Sequence, residues 1–424
     1  MKLNNKKMQT QSIPLRGLVI LMLIFGLPQE HLNAQRVETG IDVLQKSNFR
    51  ILSGKRIGII TNPTGVNKNI VSTIDLLHEA TNVEVKALYS PEHGIRGDHA
   101  AGAKVGTYTD NKTGLTVYSL YGKNKKPNSE MLKELDALVY DIQDIGVRSY
   151  TYISTMGLAM EACQENDIEL IILDRPNPIG GLKIEGGLVE PDYISFVSQF
   201  PVPYVYGLTC GELANYLNEE GLLKDGKKCK LTVVEMNGWK RDMIFAETGL
   251  PWVPTSPHIP NSNTAIYYAI SGILGELYTV SIGVGYTQPF ELFAAEWINA
   301  DKLASNLNEL SLPGVIFRPV HYKPYYSVNK GEMIHGVQLH FTDVTKAPLS
   351  LIQFYVLQEL HKLNPDKNVF EMCDKARLNM FDKVCGDKKI RDEFSKNFLV
   401  KDIEDLWNIP AEDFKEKSKK YWLY

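Results

Sequence analysis

The sequence predicts an α/β protein: a parallel sheet covered by helices, followed by a smaller α+β domain. Three observations predict it. Short apolar runs rich in Ile, Val and Leu alternate with helical stretches from Arg56 to about Glu235. Those runs lack the in–out alternation of a half-exposed strand, so both of their faces are buried, as in a parallel sheet. Beyond the proline-rich stretch from Leu250 to Asn261, the alternation gives way to mixed helix and strand signals.

The elements follow in order. Arg56-Ile57-Gly58-Ile59-Ile60-Thr61 is the first strand, Val83 to Tyr89 the second, Ala137 to Tyr140 the third and Leu170 to Leu173 the fourth. Helices are predicted at Ile70 to Glu79, Ser129 to Leu135, Thr151 to Asn166 and Thr209 to Asn218. The last opens on Thr209 with Glu212 three residues on, the spacing of a capping box. Four prolines between Pro251 and Pro260 cannot lie inside a helix or a central strand and mark a domain boundary. The second domain carries helix signals at Ala265 to Glu276 and Leu349 to Leu363, with strand signals at Val315 to Pro319 and Gly336 to Phe341. The expected division is 1–34, 37–257 and 258–424.

The first 34 residues form a segment apart. Lys2, Lys6, Lys7 and Arg16 precede an apolar run from Leu18 to Leu27 and a short polar stretch ending at Ala34. That order is that of a secretory signal, and the run is too short to span a bilayer. An exported, periplasmic or secreted protein is therefore expected, without a membrane anchor after cleavage. The whole chain of 424 residues, 44% hydrophobic and 23% charged, is globular in composition, and its net charge of −4 offers no field for nucleic acid. Five cysteines without CxxC spacing exclude a disulfide framework, though a bridge between Cys373 and Cys385 stays open. Oligomeric state is not legible.

In open parallel sheets ligands bind beyond the carboxyl ends of the strands. The residues there are Asn62 after the first strand, Glu92 and His93 after the second, Asp141, Asp144, Arg148 and Tyr150 after the third, and Asn177 after the fourth. Each residue alone is an ordinary turn former or helix cap. Together they form the rim of a polar small-molecule site. His93, Asp98, His99, Asp141 and Asp144 offer metal donors but no HExxH or comparable spacing, so no metal is expected. No GxSxG elbow, P-loop or GxGxxG follows a strand, so no cofactor is expected either. These motifs reach a polar-substrate hydrolase or a binding cleft.

The segments Gly58 to Gly65, Ser90-Pro91-Glu92-His93-Gly94, Asp141 to Tyr152, Asp174-Arg175-Pro176-Asn177-Pro178 and Ser281 to Glu291 resemble the exo-β-N-acetylmuramidase family of NamZ type, from about Gly40 onward. The resemblance implies a Rossmann-like N-terminal domain, a smaller C-terminal domain and a cleft between them. It implies release of N-acetylmuramic acid from the non-reducing end of peptidoglycan fragments. It also makes Glu92 the catalytic carboxylate and Tyr286 a second catalytic candidate. Where many members carry Gly-Arg-Gly-Thr, this chain has Gly283-Val284-Gly285-Tyr286.

Glycoside cleavage needs a proton for the leaving oxygen and a stabilised oxocarbenium-like centre. Glu92 can donate that proton, and Asp144, Asp141 and Glu276 are candidate partners. Arg148 is the favoured grip for the substrate's lactyl carboxylate, with Arg175 and Arg96 behind it. Tyr121, Tyr204, Tyr206 and Trp252 are candidates to stack on sugar faces. Two other readings remain: a non-catalytic periplasmic binder of peptidoglycan fragments or sugars, and a metal-dependent hydrolase.

Overall fold

The computed structural model describes residues 36–92, 94–97, 106–122 and 124–424. The signal-like segment, His93, Asp98 and His99 lie outside the described residues. From Arg36 onward the chain packs as one unit, and no described helix is long and apolar enough to cross a membrane.

The larger sheet has seven strands: β1 (Arg56–Thr61), β2 (Glu84–Ser90), β3 (Tyr108–Thr109), β4 (Thr116–Ser119), β5 (Ala137–Asp141), β6 (Glu169–Leu173) and β7 (Lys230–Val234). Their order is β3-β4-β2-β1-β5-β6-β7. All neighbours are parallel except the short edge strand β3, which runs against β4. The buried pattern of β1 explains its central place, since five of its six residues are inaccessible. Ile57 and Ile59 enter one core with Leu88, Val139 and Ile171. Ile60 enters the opposite core with Tyr89, Leu138, Tyr140 and Ile172. Gly58 is needed there because a β-carbon would lie 2.6 Å from the Tyr89 ring.

Helices α1 (Gly40–Lys46), α2 (Thr73–His78), α3 (Ser129–Leu132), α4 (Tyr152–Glu165) and α5 (Cys210–Glu219) accompany this sheet. The Thr209 capping box forms as read: Glu212 N donates to the Thr209 hydroxyl and Thr209 N donates to the Glu212 carboxylate. Strands β3, β4 and β7 escaped the sequence reading, because their few residues are only partly buried.

The smaller part carries α6 (Ser262–Gly275), β8 (Leu292–Ala295), α7 (Ala300–Glu309), β9 (Val315–Tyr322), β10 (Ile334–Phe341) and α8 (Ile352–Leu363). Its antiparallel sheet has the order β8-β10-β9. Four further helices follow: α9 (Val369–Met372), α10 (Lys375–Cys385), α11 (Lys388–Asn397) and α12 (Glu404–Ser418). The core beneath them is shared: Ile145, Val147, Tyr204 and Val205 from the first part pack with Ile270, Phe293, Phe354 and Trp407. All five cysteines are free thiols, so the Cys373–Cys385 bridge left open by the sequence does not form.

Candidate active site

The proline-rich stretch is a wall. Tyr150 and Tyr152, at the start of α4, reach it with their hydroxyls: Tyr152 donates to the Thr255 carbonyl at 2.6 Å and Tyr150 to the Thr255 hydroxyl at 2.9 Å. The next residues, Ser256 to Ile259, close one side of a cavity of about 390 Å³. Its other walls are Glu92 just past β2, Ser149 to Tyr152 after β5, and Tyr268, Glu276, Tyr278 and Phe290 from the smaller part. That volume lies within the range of pockets that bury a small molecule.

The cavity is acidic and aromatic. Glu92 faces Tyr121, whose phenol is pushed up to about 12 by burial and by the adjacent carboxylate. Glu276 follows the last turn of α6, and burial raises its carboxyl despite Arg377 nearby. Tyr268 shares a hydrogen bond of 3.1 Å with Ser149 and sets its ring 5.9 Å from Tyr150, edge to face. Tyr150 meets Tyr152 in the same manner at 5.0 Å. Tilted phenols of this kind give rigid apolar faces with hydroxyls at their edges, the surface a sugar ring needs. His258 stands at the rim, its Nε2 2.9 Å from the Tyr326 hydroxyl.

Of the sequence candidates, Glu92, Tyr150 and Glu276 meet at this cavity. The others are placed elsewhere, each for a physical reason. Arg148 is fully buried, and its guanidinium donates to four carbonyls: Gly187 at 2.7 Å, Val202, and Val384 and Cys385 at 2.9 Å each. It ties the loop after β5 to the end of α10, so it is not the substrate's cation. Burial pulls it down to about 10. Asp141 is held by Arg175 through two contacts, 2.6 and 2.9 Å, and by the Thr73 hydroxyl at 2.5 Å. That bidentate pair is the brace of the strand ends, and it uses Arg175 as well. Asn177 spends its amide locally, donating to the Leu208 carbonyl and accepting from Ile179 N. Asn62 accepts from Thr64 N and from its hydroxyl, shaping the turn after β1.

Asp144 is buried and does not line the cavity. It accepts from the Tyr206 hydroxyl and from Gly146 N at 2.7 Å, while its other oxygen has no partner. Burial pushes it up to about 7. Tyr286 stacks on Tyr322 at 4.6 Å and on Tyr325 at 6.0 Å, and it is absent from the cavity wall. Arg96 is bound to Asp110 and Asp75. Of the proposed stacking aromatics, Tyr204 and Tyr206 are buried and Trp252 packs edge-on against Phe245 at 4.8 Å.

Sequence reasoning missed Tyr152, Tyr268, Tyr278 and His258 as site residues. Tyr152 stood inside the quoted Asp141 block. His258, directly after Pro257 in a stretch of prolines, is a stiffened polar position and was legible as such. Nothing in the helical pattern of α6 singled out Tyr268.

The chain matches a family model described as exo-β-N-acetylmuramidase NamZ, N-terminal, over residues 57–263. It matches the corresponding C-terminal model over residues 266–424. It is 44% identical over 389 residues to the peptidoglycan β-N-acetylmuramidase NamZ of Bacillus subtilis (strain 168), covering 92% of each chain. Among solved structures, it resembles a Bacteroides fragilis DUF1343 family protein at 60% identity with a TM-score of 0.88, covering 92% of this chain and 99% of that one. A second Bacteroides fragilis protein of that description is 29% identical with a TM-score of 0.74, over the same shares.

Proposed function

The chain belongs to the NamZ family of exo-β-N-acetylmuramidases, and from that premise we propose how its cavity cleaves the glycosidic bond. It is a glycosidase of peptidoglycan processing. Its substrate is a fragment ending in N-acetylmuramic acid, released from the non-reducing end.

The observation that carries the reading is that Glu92 and Glu276 line one cavity walled by tyrosines. Most glycosidases use two carboxyl groups, one to protonate the leaving oxygen and one to meet the charge at the anomeric carbon. Glu276 is the one whose burial favours the protonated form, which suits it to deliver a proton to the leaving oxygen. Glu92, at the open end of β2, meets the positive charge that develops at the anomeric carbon. Asp141 is spent on Arg175, and Asp144 is outside the lining, bound to Tyr206. Tyr150, Tyr152 and Tyr268 hold the sugar ring.

The test uses a chromogenic glycoside of N-acetylmuramic acid. Wild type turns it over; Glu92→Gln loses turnover by at least about a thousandfold while its circular dichroism and unfolding midpoint hold. Retained turnover in that variant sinks the assignment of Glu92. The positively charged start and apolar run of residues 1–34 support export from the cytoplasm, and cell fractionation checks it.

A further inference from the structure

A muramic acid ring carries a carboxylate on its lactyl ether, and that anion must be met inside or beside an acidic cavity. Among the described lining residues, Glu92 and Glu276 are the charged ones and no Lys or Arg is present. A cation beside those carboxylates would offset their repulsion of the substrate's anion. The cations that sequence pointed to are already occupied. Arg148 is wrapped by carbonyls, Arg175 is paired with Asp141, and Arg96 with Asp110.

Among the described residues, one guanidinium remains beside the cavity wall. Arg377 lies in the first turn of α10, where Asp374 caps the helix by accepting from Arg377 N at 2.9 Å. Its side chain leans over Tyr278, with the guanidinium carbon 3.5 Å from the ring centroid. Its Nη1 is 3.9 Å from a Glu276 oxygen, too long for a firm hydrogen bond. The side chain is 38% exposed, so its donors open to solvent. Tyr278 and Glu276, the two residues it touches, also line an adjoining compartment of about 250 Å³ with Ser281, Ile282 and Val284. Arg377 therefore stands where the two compartments share a wall.

Resting on the muramidase reading, we propose that Arg377 is the specificity-determining residue that grips the substrate's lactyl carboxylate. A planar guanidinium already stacked on an aromatic ring loses little freedom on binding, and it matches a carboxylate with two parallel N–H donors. The substrate exchanges a long contact to Glu276 for a close one of its own.

The experiment compares two chromogenic glycosides in wild type and in Arg377→Gln: N-acetylmuramic acid itself, and its neutral lactyl methylamide. Turnover of the acid by wild type judges the hydrolase reading independently. In Arg377→Gln, kcat/KM on the acid falls about tenfold to a hundredfold, mainly through KM, while the methylamide is nearly unaffected. Arg377→Lys recovers part of the loss on the acid alone. An equal loss on both glycosides, or none on the acid, overturns the proposal.

Discussion

At the scale of single residues, Asp141 closes β5 and Asp144 stands three positions beyond it, yet their partners differ. Asp141 is paired with the Arg175 guanidinium at the end of β5. Asp144 has no cation, and burial pushes it up to about 7 from an ordinary 3.8. Its folded-state value thus exceeds its unfolded one, so the folded protein holds the extra proton across that interval. The stability this contributes is fully present below about pH 4 and is lost as pH rises through about 7. Asp174 is pushed up to about 6 by burial and acts with the same sign. Asp144→Asn keeps the bonds to Tyr206 and Gly146 and removes the titration. Urea denaturation as a function of pH should show a shallower loss of stability for Asp144→Asn than for wild type, by a few kcal/mol at most. Parallel slopes would show that Asp144 is ionised in the fold.

At the scale of elements, the structure spends its buried arginines on holding loops to helices. Arg148 gathers carbonyls from Gly187, Val202 and the last residues of α10. Helix α10 ends at Gly386 in the left-handed region, φ 88°, where a β-carbon would also lie 2.9 Å from the Arg148 side chain. Glycine there satisfies both the cap and the clearance. Arg148→Met fills the volume but leaves buried acceptors without donors, at a cost of about 3–5 kcal/mol. Denaturant unfolding measures that loss. At low temperature the variant's KM for a muramic acid glycoside stays at the wild-type value, because Arg148 does not reach the cavity. A raised KM with unchanged stability would return Arg148 to the site.

At the scale of the whole molecule, each sheet has its own core, but the core under the smaller sheet is completed by loops of the larger part. The core of the smaller part includes Val147, Tyr204 and Val205 from the first part. The final residues run back to the larger sheet. Tyr424 donates to the Asp174 carboxylate at 2.7 Å, Leu423 N donates to Glu212 at 2.8 Å, and the Trp422 ring lies 4.0 Å beneath the Arg241 guanidinium. Interfaces between independent domains are small and polar, whereas here apolar loop residues of the first part lie inside the core of the second. Calorimetry should therefore record one cooperative transition for residues 36–424. Two resolved transitions would mean that the shared core contributes little.

The parallel sheet was legible in the residues themselves, because doubly buried strands must be apolar throughout and must be covered by helices. That topology in turn places Glu92 and Tyr150 beyond strand ends, so their neighbourhood followed from the order of elements alone. Glu276 was legible as a carboxylate but not as the neighbour of Glu92. Only the tertiary structure separated the rim residues that face a ligand from those that serve the backbone. The carbonyls that Arg148 satisfies lie up to 237 positions away, and no local pattern announces them. Polar side chains on loops look alike in sequence; which of them water, substrate or an orphaned carbonyl claims is decided by what packs against them.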